Sequence, residues 1–404
     1  MGDIFDHAYR MTNPIQYYAW GSKTAIARLV GRPFPSPKPE AELWMGAHPK
    51  APSIIFCEEG EVTLDDLVAR YPEEILGQEV AQRFDSQLPF LFKILAADSP
   101  LSIQAHPDLE QARIGYDREN RAGIPLTAPE RNYRDANHKP EVICALTDFW
   151  GLNGFRSLND LHRQLNRWCP ETLGTFFNTL RQSASDNVLQ KLLEHILSLQ
   201  GREKKRALAE TITQAQKQDA TDDIPQWILK LERAYPGDIG ILAPVILNLI
   251  RLQPDQAMYL PAGQLHAYLE GVGIELMANS DNVLRGGLTP KHVDREELMH
   301  VLRFEPCKPD IKRAQSISIT EARFLTPASE FSLTKISVSP KAKHTSPFNR
   351  NVEVLLVTEG EALLTVGPNK EGLQLARGES VLIPAAAGAY HLSGQADIYR
   401  ATVP

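Results

Sequence analysis

Two stretches of the chain follow one plan. In DQAMYLPAGQLHAY, Asp255 is a turn residue followed by five strand-forming residues, then Pro261, small residues and His266. In GESVLIPAAAGAYHL, Gly378 leads by the same spacing to Pro384, small residues and His391. A short apolar run that ends at proline is a strand passing into a tight turn. A repeat of that unit marks two related β segments far apart in the chain, and other readings of the chain have to fit around them.

The remaining sequence has three textures. Residues from about 14 to 156 carry short β-like runs such as PSIIFC, PFLFKILAA and PEVICAL, with proline at their starts. Residues from about 157 to 253 change to apolar steps of three and four, as in SLNDLHRQL and DNVLQKLLEHILSLQ, with Ser157 and Asp186 in cap positions. These are amphipathic helices whose apolar stripes are core. After residue 254 the β texture returns, broken by a helix near DREELMHVLRFEP. The segment 320–404 holds the runs FSLTKISV, VEVLLVTEG, EALLTVG, ESVLIPA and DIYRATV. The expected fold is mainly β with an α-helical insert. A discontinuous β domain (1–156 and 254–319) is interrupted by a helical domain (157–253) and followed by a second β roll (320–404).

A length of 404 residues suits two or three domains. With 43% hydrophobic and 23% charged residues, the composition is that of a soluble globular protein. A net charge of −7 without a basic stripe disfavours nucleic acid, whereas local Lys and Arg clusters still allow a small anionic substrate. The four cysteines (Cys57, Cys144, Cys169, Cys307) are widely spaced and include no C-x-x-C, which favours free thiols over a zinc knot or a disulfide framework. MGDIFDHAYRMTNP is charged and lacks the apolar run of a signal peptide, so it reads as a loose extension. IGILAPVILNLI is too short to span a bilayer. A cytoplasmic location is expected.

Several residues carry chemistry. In SIQAHP, Gln104 and His106 point to one face of a strand end. Glu141 follows Pro140 in NHKPEV, and His266 follows the PAG turn. Two imidazoles, a carboxylate and an amide oxygen suit a divalent ion of borderline hardness such as zinc. An isolated histidine is more often a hydrogen-bonded structural residue, and His7, His48, His195 and His300 are read so; His138 stays open. Arg285 precedes Gly286 and Gly287, a setting for an oxyanion or phosphate fork, or for a plain surface arginine. Lys93 interrupts the apolar LPFLFKILAA and needs a partner, a cavity or a sheet edge.

The spacing around Pro261, Gly263 and His266 resembles the second motif of the cupin family, Gly-x5-Pro-x-Gly-x-x-His, and the copy around His391 is a degenerate version. Longer stretches, namely QYYAWGSK, AELWMGAHPKAPS, LPFLFKILAADSPLSIQAHPD, NHKPEV and PAGQLHAYLEGVGIELMANSDNVLRGGLTPKHVD, resemble type I mannose-6-phosphate isomerases in the family's order. The resemblance implies two cupin-like jelly rolls. It also implies a zinc-dependent aldose–ketose isomerase interconverting mannose 6-phosphate and fructose 6-phosphate and supplying mannose for GDP-mannose. It places the zinc ligands on Gln104, His106, Glu141 and His266, and the active-site arginine on Arg285. It puts Trp20, Glu42, Lys93, Ser102, Lys139, Glu275 and Asp281 in the pocket.

Lys139 shares a strand face with Glu141 and is the candidate proton carrier, with Glu275 and Asp281 as rivals. Lys93 and Ser102 are candidates for the phosphate, and Arg285 for the phosphate or the developing charge. A sugar phosphate is the expected partner of a monomeric enzyme without nucleic acid or membrane. Two other readings remain open: a non-haem iron dioxygenase using His106, His266 and Glu141, and a sugar-phosphate-binding protein without turnover.

Overall fold

The computed structural model describes residues 5–57, 60–182, 187–218, 222–367 and 372–404. Two sheets of eleven strands dominate it. The one that will carry the site is organised by a single long strand, His266–Ala278. That strand pairs antiparallel with Phe90–Ala97, Ile103–Ala105, Glu141–Ala145 and Phe149–Phe155. Strand Leu284–Gly287 extends the sheet on the far side of Ile103–Ala105. Phe90–Ala97 is buried at all eight positions, which explains why it reads as one apolar run rather than an alternation.

Alternation still decides which way each side chain goes. Phe90, Phe92, Ile94 and Ala96 pack with Leu333, Val354, Leu356 and Tyr399 of the second roll. Leu91, Lys93 and Leu95 point the other way, into the first roll. In the same manner Ile103, Ala105, Leu265, Ala267 and Leu284 join one core with Leu161, Leu165, Trp168, Leu192 and Trp227 of the helical insert. The first roll is therefore covered by helices on one outer wall and by the second roll on another. Its interior is left for the side chains of opposite parity.

The helices start where the sequence asks. Ser157 caps Leu158–Trp168 by accepting from Asp160 N–H, and Asp294 caps Arg295–Val301. Asp186, the other expected cap, lies outside the described residues. The helical run ends at Ile246. Leu247–Leu252, grouped by texture with the insert, is a strand paired with Phe149–Phe155. Two further corrections concern β structure. Tyr9–Thr12 is no loose extension: it is a strand inserted between Ser380–Ile383 and Ile54–Cys57, so the N-terminal region completes the sheet of the second roll. The runs VEVLLVTEG and EALLTVG form one strand, Glu353–Val366. The register shifts between Val357 and Glu359, and Gly360 (φ +72°) bends the strand where the sequence suggested a turn.

The repeated unit is real in three dimensions. Asp255 (φ +66°) and Gly378 (φ +87°) both take a left-handed turn before a strand, Gln256–Leu260 and Ser380–Ile383, that runs to the proline. Asp tolerates that conformation, and its carboxylate is used across the domain boundary. It accepts from Lys335 Nζ at 2.8 and 2.9 Å and from Tyr399 OH at 2.8 Å. No helix among the described residues is long and apolar enough to cross a membrane.

Burial raises the Asp255 carboxyl, but the bonds from Lys335 and Tyr399 win and hold it below the ordinary value. A depressed carboxyl stabilises the fold above its unfolded value of about 3.9, and the contribution disappears as pH falls through the folded value. Asp255→Asn, which keeps the left-handed turn, should cost about 0.5–1 kcal/mol at neutral pH, discounted for solvent exposure. The difference in urea midpoint between the two proteins should close below about pH 4. A difference that persists unchanged to about pH 3 counts against the ion pair as its source.

Candidate metal centre and charged cavity

Gln104 sits between two neighbours in register, His266 on one side and Arg285 on the other. His106 follows at the strand end. Its carbonyl accepts from Gly263 N–H at 2.8 Å, so the PAG turn, with Gly263 at φ +76°, is tied to the same corner. Glu141 opens the strand that pairs with Met277. Three chain segments distant in sequence thus deliver two imidazoles and a carboxylate, all buried, with their donor atoms within 4.8 Å of one another.

The hydrogen bonds decide the chemistry of the two rings. His106 Nδ1 donates to Asn282 O at 2.7 Å and His266 Nδ1 donates to Gln264 O at 2.9 Å. With Nδ1 protonated, each Nε2 presents a lone pair. Both Nε2 atoms are buried without a hydrogen-bond partner and lie 3.4 and 3.6 Å from the Glu141 oxygens. A buried acceptor left unmet is costly. Donor atoms around a tetrahedral zinc stand about 3.3 Å apart, close to these separations. Imidazoles fixed through Nδ1 by a carbonyl are how proteins orient such ligands. The residues present therefore fit a divalent ion held by His106, His266 and Glu141, with Gln104 alongside. Burial, reinforced by Lys139, holds His106 neutral. Burial opposes charge on Glu141, but Lys139, 2.9 Å away, and the two imidazoles keep it well below the usual carboxylate range.

Glu141 and Gln104 open the centre onto a cavity of about 790 Å³. Trp20, Glu42, Lys93, Ser102, Gln104, Lys139, Glu141, Glu275, Asp281 and Arg285 all line it. Lys93 is not free in it. Its Nζ donates to Glu275 at 2.8 Å and lies 3.5 Å from Glu42, which also accepts from Trp44 Nε1 at 2.5 Å. Burial opposes the lysine's charge, yet Glu275 and Glu42 push its pKa up. Burial, with Glu141 and Glu42 nearby, pushes Glu275 up against the pull of Lys93. Asp281 is held by Lys50 at 2.6 Å, with the His48 ring at 3.6 Å; despite burial the bond from Lys50 keeps it below the ordinary value.

Residues left out of the sequence reading complete the wall. His48, read as structural, faces Asp281. Tyr268 lies two places after His266 on one strand face, and its hydroxyl is 3.5 Å from Glu141; that parity was a signal available in the sequence. Arg134 and Lys291 line the cavity together with Arg285, whose neighbour in register is Gln104. Burial and then Arg134 lower Arg285, and burial, Arg285 and Arg134 lower Lys291, with no carboxylate acting on either. His138 turns away from the cavity to bond Glu330 of the second roll at 2.7 Å.

Fold and site together define a double jelly roll with a helical insert and a two-histidine, one-carboxylate centre beside a charged cavity. Family models agree with each part. The phosphomannose isomerase type I catalytic domain matches residues 8–158, the helical insertion domain of that family residues 172–247, and the mannose-6-phosphate isomerase cupin domain residues 320–403. The chain is 41% identical to the mannose-6-phosphate isomerase of Salmonella typhimurium over 97% of its own length and 98% of that protein. It is 34% identical to the Homo sapiens enzyme, with 92% of each covered. A crystal structure of zinc-bound holo mannose 6-phosphate isomerase superposes with a TM-score of 0.90 at 39% identity, covering 98% of this chain and 99% of that one. The chain belongs to the type I phosphomannose isomerase family.

The buried ion cluster has a measurable consequence. Lys93→Met leaves Glu42 and Glu275 facing each other without their cation and should destabilise the protein by about 3–5 kcal/mol. Adding Glu275→Leu should recover part of that loss, because one of the stranded charges goes with it. Urea denaturation of the single and double variants checks this, and a double variant no better than the single one contradicts it.

Proposed function

We propose that the protein is a zinc-dependent mannose-6-phosphate isomerase that interconverts mannose 6-phosphate and fructose 6-phosphate as a monomer. In one direction it provides the mannose 6-phosphate used for GDP-mannose. The observation that carries this reading is the presence at one cavity of a buried metal-ligand set and of three cations, Arg134, Arg285 and Lys291, for which no carboxylate partner is found among the described residues. Those are the two requirements of a sugar phosphate whose carbonyl end must be polarised while its phosphate is held.

When bound by His106, Glu141, His266 and Gln104, zinc supplies Lewis-acid polarisation of the oxygens at C1 and C2. Arg285, Arg134 and Lys291 bind the phosphate, with Arg offering a planar fork to its oxygens. This moves the phosphate from Lys93, whose charge is already met inside the wall, and gives Arg285 a binding role. Ser102 lies on the same wall beside Gln104. In its unprotonated form, which the ion pair with Glu141 opposes until Glu141 serves a metal, Lys139 takes the proton from C2 of the open-chain aldose and returns it to C1, while a hydroxyl proton passes from O2 to O1. Its rivals are less suited: Glu275 is bonded to Lys93, and Asp281, held below the ordinary value by Lys50, is a weak base toward a C–H proton. Asp281 is the carboxylate available to deprotonate the anomeric hydroxyl on ring opening, and Trp20 closes the wall above.

Dialysis against a strong chelator should abolish isomerase activity in a coupled assay on mannose 6-phosphate, and zinc should restore it. Full activity in demonstrably metal-free protein contradicts the reading, and restoration by iron together with oxygen uptake favours the dioxygenase. Two variants separate binding from proton transfer. Arg285→Ala should raise KM about 10–100-fold with zinc content intact. Lys139→Met should lower kcat by about 100-fold or more. A Lys139→Met protein with near-normal kcat would transfer the proton role to Glu275.

A further inference from the structure

Asn282 lines neither the cavity nor the metal centre, yet its own atoms reach both. It is fully buried. Its Oδ1 accepts from Arg134 N–H at 2.7 Å and Asp135 N–H at 3.3 Å. Its Nδ2 donates to Asp135 O at 2.9 Å, Asp135 Oδ1 at 3.2 Å and Asn137 O at 2.9 Å. Its backbone N–H donates to Ser280 Oγ at 3.1 Å, and its backbone carbonyl is the acceptor that fixes Nδ1 of His106 at 2.7 Å. One amide therefore pins the loop that presents Arg134 and, two residues further on, leads through Asn137 to Lys139. The same residue's carbonyl orients a metal ligand. Ser280 and Asp135 close the arrangement: Ser280 Oγ donates to Asp135 Oδ1 at 2.8 Å, and Asp281 N–H donates to Asp135 Oδ2 at 2.7 Å.

We propose that Asn282 is a positioning residue that couples the metal centre to the phosphate end of the cavity. It holds the 280–283 backbone so that its carbonyl stays on His106, and holds the 134–137 loop so that Arg134 stays on the cationic wall. No other side chain of similar length replaces it, because the site needs an acceptor toward two N–H groups and a donor toward two carbonyls at once. A loss of the side chain lets both segments move, and it acts on two distant sites through one cause. The inference rests on the zinc and phosphate reading above.

The test compares Asn282→Ala with Asn279→Ala. Asn279 lies in the same turn and its side chain bonds Leu88 O at 2.7 Å, a tie unconnected to His106 or Arg134. Zinc-loaded proteins are followed for zinc release to a chelator, for inhibition by inorganic phosphate, and for thermal unfolding. Asn282→Ala should release zinc about 10–100-fold faster. Its Ki for inorganic phosphate and its KM should rise about tenfold, the loss of one charge-assisted contact. With zinc saturating, the rise in KM should exceed the fall in kcat. Asn279→Ala should move only the unfolding temperature. Asp135→Asn keeps the size of the partner and loses its charged acceptor. It should shift zinc release and phosphate inhibition the same way, and it carries the test if Asn282→Ala is not recovered folded. Variants that match Asn279→Ala in both readouts, with a wild-type protein that binds zinc and is inhibited by phosphate, overturn this inference alone. A wild-type protein that does neither overturns the underlying reading as well.

Discussion

The register of strand His266–Ala278 is the constraint on which the rest depends. It is hydrogen-bonded to four other strands, and a slip of one residue would turn His266, Tyr268 and Glu275 into the helical and interdomain cores and bring Ala267 and Ile274 into the cavity. The slip is prevented from both outer faces. Leu265, Ala267 and Leu269 are locked into the core of the insert, while Ile274 and Leu276 are locked into the core shared with the second roll. The change of partner along one strand, marked by the irregularity between Tyr268 and Glu270, lets a single element serve both cores. Neither covering domain is an ornament on a self-sufficient catalytic roll; each holds the parity of the site.

The charges in the cavity follow a gradient that the fold alone does not require. Near the metal ligands, Glu42, Glu141 and Glu275 face Lys93 and Lys139, so one negative charge is in excess. A divalent ion reverses the sign and leaves this end net positive, which suits an oxygen that gains charge during proton transfer. A neutral amide from Gln104 in place of a further carboxylate preserves that balance. Elsewhere in the cavity Arg285 and Lys291 crowd beside Arg134, and burial together with this crowding lowers the pKa of both Arg285 and Lys291. Stability would be served by a carboxylate among them. Among the described residues none is found there, so the folded protein carries the repulsion.

Much of this was legible in the sequence, and what was not has definable causes. Gln104, His106, Glu141 and His266 could be grouped because proline and glycine punctuate the strands that hold them, and a strand fixes parity over short distances. Lys93 could be flagged as anomalous within an apolar run. Its partners could not be named, since Glu275 lies far along the chain and pairs with it only through strand register. Arg134 comes from a loop without periodicity, so nothing local distinguishes it from a surface arginine. Tyr9–Thr12 was missed because four residues are too few to show alternation, and its strand character comes from two neighbours that clamp it. The single strand Glu353–Val366 was split because Gly360 looks like a turn, while the paired strand Tyr390–Thr402 bends with it.

The helical insert has one more task, visible in the backbone. Leu288 is a buried, branched residue held at φ +53°, a conformation that costs an L residue about 1–2 kcal/mol. It follows Gly287 at φ +138° and precedes the segment that carries Lys291. The strain is maintained by the insert: Asp238 caps Gly240 at 2.7 Å and also accepts from Thr289 N–H at 3.3 Å. Gly240 itself has no side chain to keep Leu288 away; an added Cβ would lie 2.9 Å from Leu288 N. Tyr235 from the same domain bonds Pro100 O at 2.7 Å, beside Ser102 on the cavity wall. The insert thus holds the start of the loop that carries Lys291 and adds its own Tyr235 to the cavity lining. A loop relaxed to ordinary backbone angles would carry Lys291 away from Arg285, which is the direction their mutual repulsion already favours. Packing of the insert thus acts on the loop against that repulsion.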